Sequence, residues 1–251
     1  YKSMAQMGPV GASLAPSGLG DLAAFEGRYS EAVQILRQGV ESDVTAKNND
    51  AAAAKLAAIA YAELSRGRTT PAIDAADEAL RYSQAVKIQF LAARIFIEAG
   101  ADARVKPIIE GLSKELYTEP RAYAKLLQGL IALHDGDARQ AMTLLREGND
   151  QFDTWLGYFD LGRASLAAKA FTQADSSFDV CLNSRRGEAL ALFVDEEPTY
   201  AYLPQAYFYQ GLVREGLKSS GAAESFKQYL ALRGASTEDP LARQARERIA
   251  K

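Results

Sequence analysis

Tyr158-Phe159-Asp160-Leu161-Gly162-Arg163-Ala164-Ser165, followed by Ala174-Asp175-Ser176-Ser177-Phe178-Asp179-Val180-Cys181, is the stretch that decides the fold. Its large and small residues recur at helical spacing, first around Leu161-Gly162 and again around Ala174 and Phe178. A small residue in mid-helix lets a second helix approach closely, and a side chain larger than alanine would push the two axes apart. The stretch therefore reads as one hairpin of two packed helices.

The same small residue returns early in each second helix, at Ala32, Ala72, Val105, Ala141, Ala174 and Ala222 or Ala223. The first five are separated by 40, 33, 36 and 33 residues, close to the period of about 34 found in stacked helical hairpins. A turn marker stands five residues earlier at Gly27, Gly67, Gly100, Gly136 and then Lys169. Glycine suits a helix end because it adopts a left-handed conformation cheaply. Thr70-Pro71 reads as a capping hydroxyl before a proline at the first helical position. Asp137-x2-Gln140 and Thr172-x2-Asp175 read as capping boxes. First-helix small residues fit best at Leu19-Gly20 and Leu161-Gly162. No stretch alternates strictly between apolar and polar, so no sheet is expected.

Leu161-Gly162 with Ala174-x3-Phe178 resembles the tetratricopeptide (TPR) pattern. The fold this implies is all-α: a right-handed superhelical solenoid of about six antiparallel hairpins. Residues 1–251 form one array, with 183–203 a non-repeat insertion and 239–251 a C-terminal capping helix. Residues 1–17 read as the tail of an earlier helix and a connection, and the last hairpin as Tyr207 to Leu217, then Gly221 to Leu232.

Further segments resemble a narrower group. They are Gly187-Glu188-Ala189-Leu190-Ala191-Leu192-Phe193, Asp195-Glu196-Glu197-Pro198-Thr199-Tyr200, Tyr207-Phe208-Tyr209-Gln210-Gly211 and, upstream, Lys87-Ile88-Gln89-Phe90-Leu91-Ala92-Ala93-Arg94. Such segments resemble the C-terminal TPR arrays of bacterial eukaryotic-like Ser/Thr protein kinases. The resemblance implies a non-catalytic interaction, scaffold or sensor region of a larger bacterial signalling protein. Nothing in 1–251 is kinase sequence: there is no Gly-rich loop with a following strand lysine, no His-Arg-Asp and no Asp-Phe-Gly. A kinase domain, if the parent protein has one, lies outside this chain.

Composition narrows the function classes. The net charge of −3 and pI of about 5.4 lack the basic stripe that neutralises phosphates, so no nucleic-acid partner is expected. One cysteine, Cys181, excludes an internal disulfide and cysteine-based zinc sites. No apolar run reaches the roughly 18–20 residues of a membrane span, so no membrane insertion by this chain is expected. The start lacks both a signal-peptide pattern and an initiator methionine, and the chain is expected to be part of a longer bacterial protein. The compartment stays open, as a soluble domain on either side of a membrane.

No catalytic residue, metal ligand or cofactor is assigned. Asp195-Glu196-Glu197 is the densest acidic cluster, but consecutive carboxylates do not flank a substrate and lack calcium-loop spacing. These residues read as a solvated turn or cap. His134, the sole histidine, precedes an Asp-Gly-Asp turn at a helix C-terminus, where a cationic ring is mildly favoured. Cys181 reads as a small buried hydrophobe.

Partner contacts are expected on the first helices, which line the concave face of such an array. Arg94 and Arg163 fall at equivalent groove positions, with Lys87 one face over. Guanidinium groups bind carboxylates bidentately, so a protein or peptide with an acidic or C-terminal segment is the candidate ligand. The Lys/Asn pattern of known carboxylate-clamp TPRs is absent. Phe159, Tyr200, Tyr202 and Phe208 are aromatic candidates for anchoring a partner. The alternative function is homo-oligomerisation, with the terminal hairpin or aromatic insertion pairing two chains as a homodimer.

Overall fold

The computed structural model describes residues 1–184, 197–234 and 238–250, with the side chains of 184 and 197–201 left aside. The described residues are helical, with no strand among them. Six hairpins follow one another: α1 (Gly8–Phe25) with α2 (Tyr29–Thr45), α3 (Asn49–Ser65) with α4 (Thr69–Tyr82), α5 (Val86–Glu98) with α6 (Val105–Ser113), α7 (Thr118–His134) with α8 (Ala138–Gln151), α9 (Trp155–Ala167) with α10 (Phe171–Asp179), and α11 (Glu197–Gly216) with α12 (Ala222–Arg233). A last helix, α13 (Pro240–Ile249), packs on α12. Each helix packs on the next in sequence, the arrangement of a TPR-like array of hairpins.

The small residues hold the hairpins together. A Cβ on Gly162 of α9 would come within 2.7 Å of the Phe178 ring of α10, and one on Gly211 of α11 within 2.6 Å of Phe226 of α12. Phe178 is fully buried there, and burying such a ring contributes about 1.5–3 kcal/mol. Gly162→Leu is therefore expected to cost at least about 1–3 kcal/mol by overpacking. A thermal melt checks this, and a melting temperature equal to wild type would refute the packing register.

The five turn markers all take left-handed backbone: φ is +76° at Gly27, +79° at Gly67, +71° at Gly100, +86° at Gly136 and +59° at Lys169. Lys218 does the same in the sixth hairpin, at +56°.

Helix starts follow the sequence only in part. Asp137 accepts a hydrogen bond from the Gln140 amide at 3.0 Å. Thr70 does not cap α4, because the helix already begins at Thr69 with Arg68 at the cap. Thr172 likewise lies inside α10, whose cap is Ala170. Residues 8–17 are not a connection but the first half of α1, which carries Pro16 within it. The last hairpin also starts earlier than Tyr207, so that 197–203 belongs to α11. Beyond α10 the chain runs into a π-helical turn, Val180–Ser184.

The array closes on itself. α1 packs against α11, and α3 also touches α11. Arg233, fully buried at the end of α12, donates from Nη1 to the carbonyls of Ala24 at 2.7 Å and Phe25 at 2.8 Å. Those carbonyls end α1, where a cation suits both the unpaired oxygens and the helix dipole. The guanidinium lies 5.6 Å from the Tyr29 ring centre and 5.4 Å from that of Tyr229, and pairs with Asp239 at 3.0 Å. Asp239 also accepts from the Tyr229 hydroxyl and from the Leu241 amide, which caps α13. Glu238 accepts from the Ser30 amide and hydroxyl, both at 2.9 Å. One side-chain cluster thus joins the ends of α1 and α12 to the starts of α2 and α13.

Candidate functional site

The first helices of the hairpins face inward, and their inner surfaces form the floor of the candidate site. α9 is set in place by its own start. The Thr154 hydroxyl oxygen accepts from the Gly157 amide at 3.0 Å, capping the helix. The Thr154 amide and hydroxyl both donate to Asn149 Oδ1 near the end of α8. Trp155 Nε1 donates to the Cys181 carbonyl at 3.0 Å, tying α9 to the turn after α10.

From this anchored helix Asp160 projects into the interior, where it is fully buried. Arg94 of α5 meets it in a fork, Nη1 to one carboxylate oxygen and Nη2 to the other at 3.2 Å. Arg94 is itself 2% exposed. Burial works against its charge, but Asp160 and Tyr202 together outweigh that and hold the guanidinium above its ordinary range. The Tyr202 ring lies 5.2 Å from the guanidinium carbon on one side, and Phe90 lies 5.6 Å away. Tyr202 packs in turn on Tyr61, with ring centres 4.5 Å apart, and on Phe159 at 5.9 Å.

The centre of the concave face is therefore filled, and the expectation of a groove lined by solvated arginines needs correction. Arg94 is an interior ion pair. Phe159, Tyr202 and Phe208 are buried as well. Phe208 sits apart from the others in a second cluster with Phe226, Tyr229, Ala242 and Ala245. Lys87 lies half-buried at the start of α5. Tyr200 is on α11, and its side chain falls outside the described residues. So does the Asp195-Glu196-Glu197 cluster, apart from the backbone of Glu197 at the start of α11. The physical reason for the filled centre is closure, because α11 packs against α1 and its aromatic residues enter the space an open array would leave to a ligand.

Arg163 remains at the edge of this interior. Its Nη1 pairs with Glu98 Oε1 at 2.8 Å and with Asp160 Oδ1 at 3.2 Å. Its side chain keeps 20% of its exposure, and that of Glu98 keeps 33%. Burial pushes the Glu98 carboxyl up, while the charge and hydrogen bond of Arg163 pull it down further, leaving it below its ordinary value of 4.5. Beside this pair opens a cavity of about 350 Å³, lined by Leu130, Leu133, His134, Leu166 and Tyr209 among others. Glu98, His134 and Ala167 are the last residues of α5, α7 and α9, so the cavity opens at one end of the inner helices. Leucine and tyrosine side chains line it together with His134 and the Arg163–Glu98 pair, so apolar and polar groups of a ligand can both be met there.

Four of the residues expected at the site, Arg94, Phe159, Arg163 and Tyr202, do converge. What the sequence missed is the acidic half: Asp160 and Glu98. Asp160 stands between Phe159 and Leu161 on a helix otherwise buried along most of its length, and a carboxylate at such a position signals a buried cation partner. Cys181 is fully buried, and burial pushes its thiol well up. No cluster of metal-ligating side chains is found among the described residues. No described helix is long and apolar enough to cross a membrane.

No family model matches the chain, and no curated protein matches it. Among solved structures it is similar to that of Pseudomonas aeruginosa pilF, with 16% identity over 96% of this chain and 99% of that one, at a TM-score of 0.47.

Proposed function

We propose that the chain is a non-catalytic protein-interaction module that holds a partner segment at the open end of its inner helices. The observation that carries this reading is the cavity beside Arg163 and Glu98, a recess that sets leucine side chains next to an ion pair. Packed helices supply a rigid frame, so little ordering cost falls on the protein side when a segment binds. Arg163 is the contact that survives from the groove reading. It offers a guanidinium face already oriented by two carboxylates, to which a partner's carbonyl or carboxylate can add. The resemblance of several segments to the C-terminal arrays of bacterial Ser/Thr kinases supports a role as a scaffold or sensor region of a larger signalling protein.

Site-specific photo-crosslinking tests the reading. A benzophenone amino acid placed at Ala167, on the cavity rim, is expected to give discrete adducts in bacterial extract. One placed at Arg139, exposed on the outer face of α8, is expected to give none of them. The Ala167 adducts should weaken when Arg163→Gln is added. Identical adducts from both positions, or none from Ala167, would overturn the proposal.

A further inference from the structure

The α6–α7 connection carries the most exposed apolar pair among the described residues. Leu116 is 90% exposed and Tyr117 is 77% exposed. Two adjacent large apolar side chains in water are unusual where nothing covers them, and tyrosine is a common interface anchor. The reason they stand clear is the brevity of α6. It has 9 residues, whereas the second helices on either side, α4 and α8, have 14 each. A cleft of about 430 Å³ opens beside the start of α7.

The cleft walls are polar. Thr118, Arg121 and Gln128 come from α7 and Gln151 from the end of α8. Arg121 and Gln128 lie on one helical stripe with Lys125, which pairs with Glu147 at 3.1 Å. Arg121 has no ion-pair partner among the described residues, and neither carboxamide is hydrogen-bonded there. No carboxylate lines the cleft. An unpaired guanidinium selects a carboxylate. Carboxamides carry both a donor and an acceptor, which matches the alternating groups of an extended peptide backbone. Leu116 and Tyr117 come just before Thr118, the first α7 residue of the lining, and offer an exposed apolar pair next to it.

We propose that this cleft is a second docking surface, taking an extended peptide segment that carries an apolar side chain next to a carboxylate. The inference rests on the reading of the chain as a protein-binding module, but it places the contact at the start of α7, whereas the Arg163 cavity lies at the end of that helix. Arg121 binds the carboxylate, Gln128 and Gln151 meet the peptide backbone, and Leu116 with Tyr117 packs the apolar side chain.

Fluorescence anisotropy tests it with a labelled synthetic peptide, one leucine flanked on both sides by glutamates, and a counterpart with lysine in place of glutamate. The glutamate peptide is expected to bind the whole chain. Affinity should fall roughly tenfold in Arg121→Glu and again in Leu116→Ser/Tyr117→Ser, the scale of losing a close charge or an anchor. All three positions are solvent-exposed, so circular dichroism should show an unchanged fold. The lysine counterpart should bind more weakly, and Arg139→Glu, at an exposed position of α8 outside both linings, should leave the glutamate peptide's affinity unaltered. Equal affinity in wild type and both cleft variants would overturn the inference, as would an absence of binding or equal binding of the two peptides. If Arg163→Gln alone abolished binding, the cleft would be excluded while the wider reading stood. The crosslinks at Ala167 decide that wider reading independently.

Discussion

Replacing Asp160 with alanine should destabilise the protein by about 3–5 kcal/mol, the usual cost of leaving a buried charge unpaired. Asp160 and Arg94 retain 1% and 3% of their side-chain exposure, so water does not reach the guanidinium when the carboxylate is gone. Arg163 also loses one of its two carboxylate partners. Chemical denaturation measures the loss, and for a chain of this size it corresponds to a melting temperature lower by roughly 2–4 °C per kcal/mol. The double variant Arg94→Met/Asp160→Leu separates charge from packing. Replacing a buried pair with apolar residues of similar volume is often neutral or stabilising, so the double variant should be more stable than Asp160→Ala alone. If Asp160→Ala cost less than about 1 kcal/mol, on the scale of a surface pair, the ion pair would not be buried as described.

Arg233→Ala should have an effect of similar size but in a different place. The change removes both hydrogen bonds to the end of α1 and leaves Asp239, 3% exposed, without its cation. The expected local penalty is again about 3–5 kcal/mol. In an array of hairpins such a loss need not unfold every unit at once. Amide exchange should therefore rise first in α12, α13 and the last turn of α1, by roughly a hundredfold if about 3 kcal/mol of local protection is lost. Amides of α7 and α8, on other hairpins, should change little. X-ray scattering should show an increased radius as the ends part. Uniform acceleration of exchange along the chain would mean that closure is not a separable contact. Unchanged exchange would mean that Arg233 does not hold it.

The repeats were legible because their determinants are local. A small residue facing a large one across a hairpin, and a residue with positive φ at each turn, leave marks at fixed spacing. Lys169 could be placed at its turn from spacing alone, although lysine does not favour positive φ. The site was much less legible. Arg94 and Arg163 do fall on the inner faces of their helices, as spacing implied. Whether an inner face meets water depends on how far the array curves, and small rotations accumulated between successive hairpins set that curvature. No single repeat encodes it. The acidic half is illegible for the same reason, since Arg94 lies 66 residues from Asp160 and Arg163 lies 65 residues from Glu98. Nothing in the sequence marks Arg233, because the carbonyls it bonds, those of Ala24 and Phe25, lie more than two hundred residues away.

The hydrogen bond between Arg233 and Ala24 spans 209 residues of sequence, and that separation has a consequence for how such a chain can change in evolution. An open stack of hairpins can gain or lose a unit and leave every remaining interface intact. Here the first and last hairpins share an interface. Deleting or duplicating an internal hairpin shifts one end relative to the other and misaligns Arg233 from the α1 carbonyls and Glu238 from Ser30. The number of hairpins between these two is then a fixed property, and variation among the described residues is confined to turns and connections, such as the α6–α7 link, that lie outside the seam.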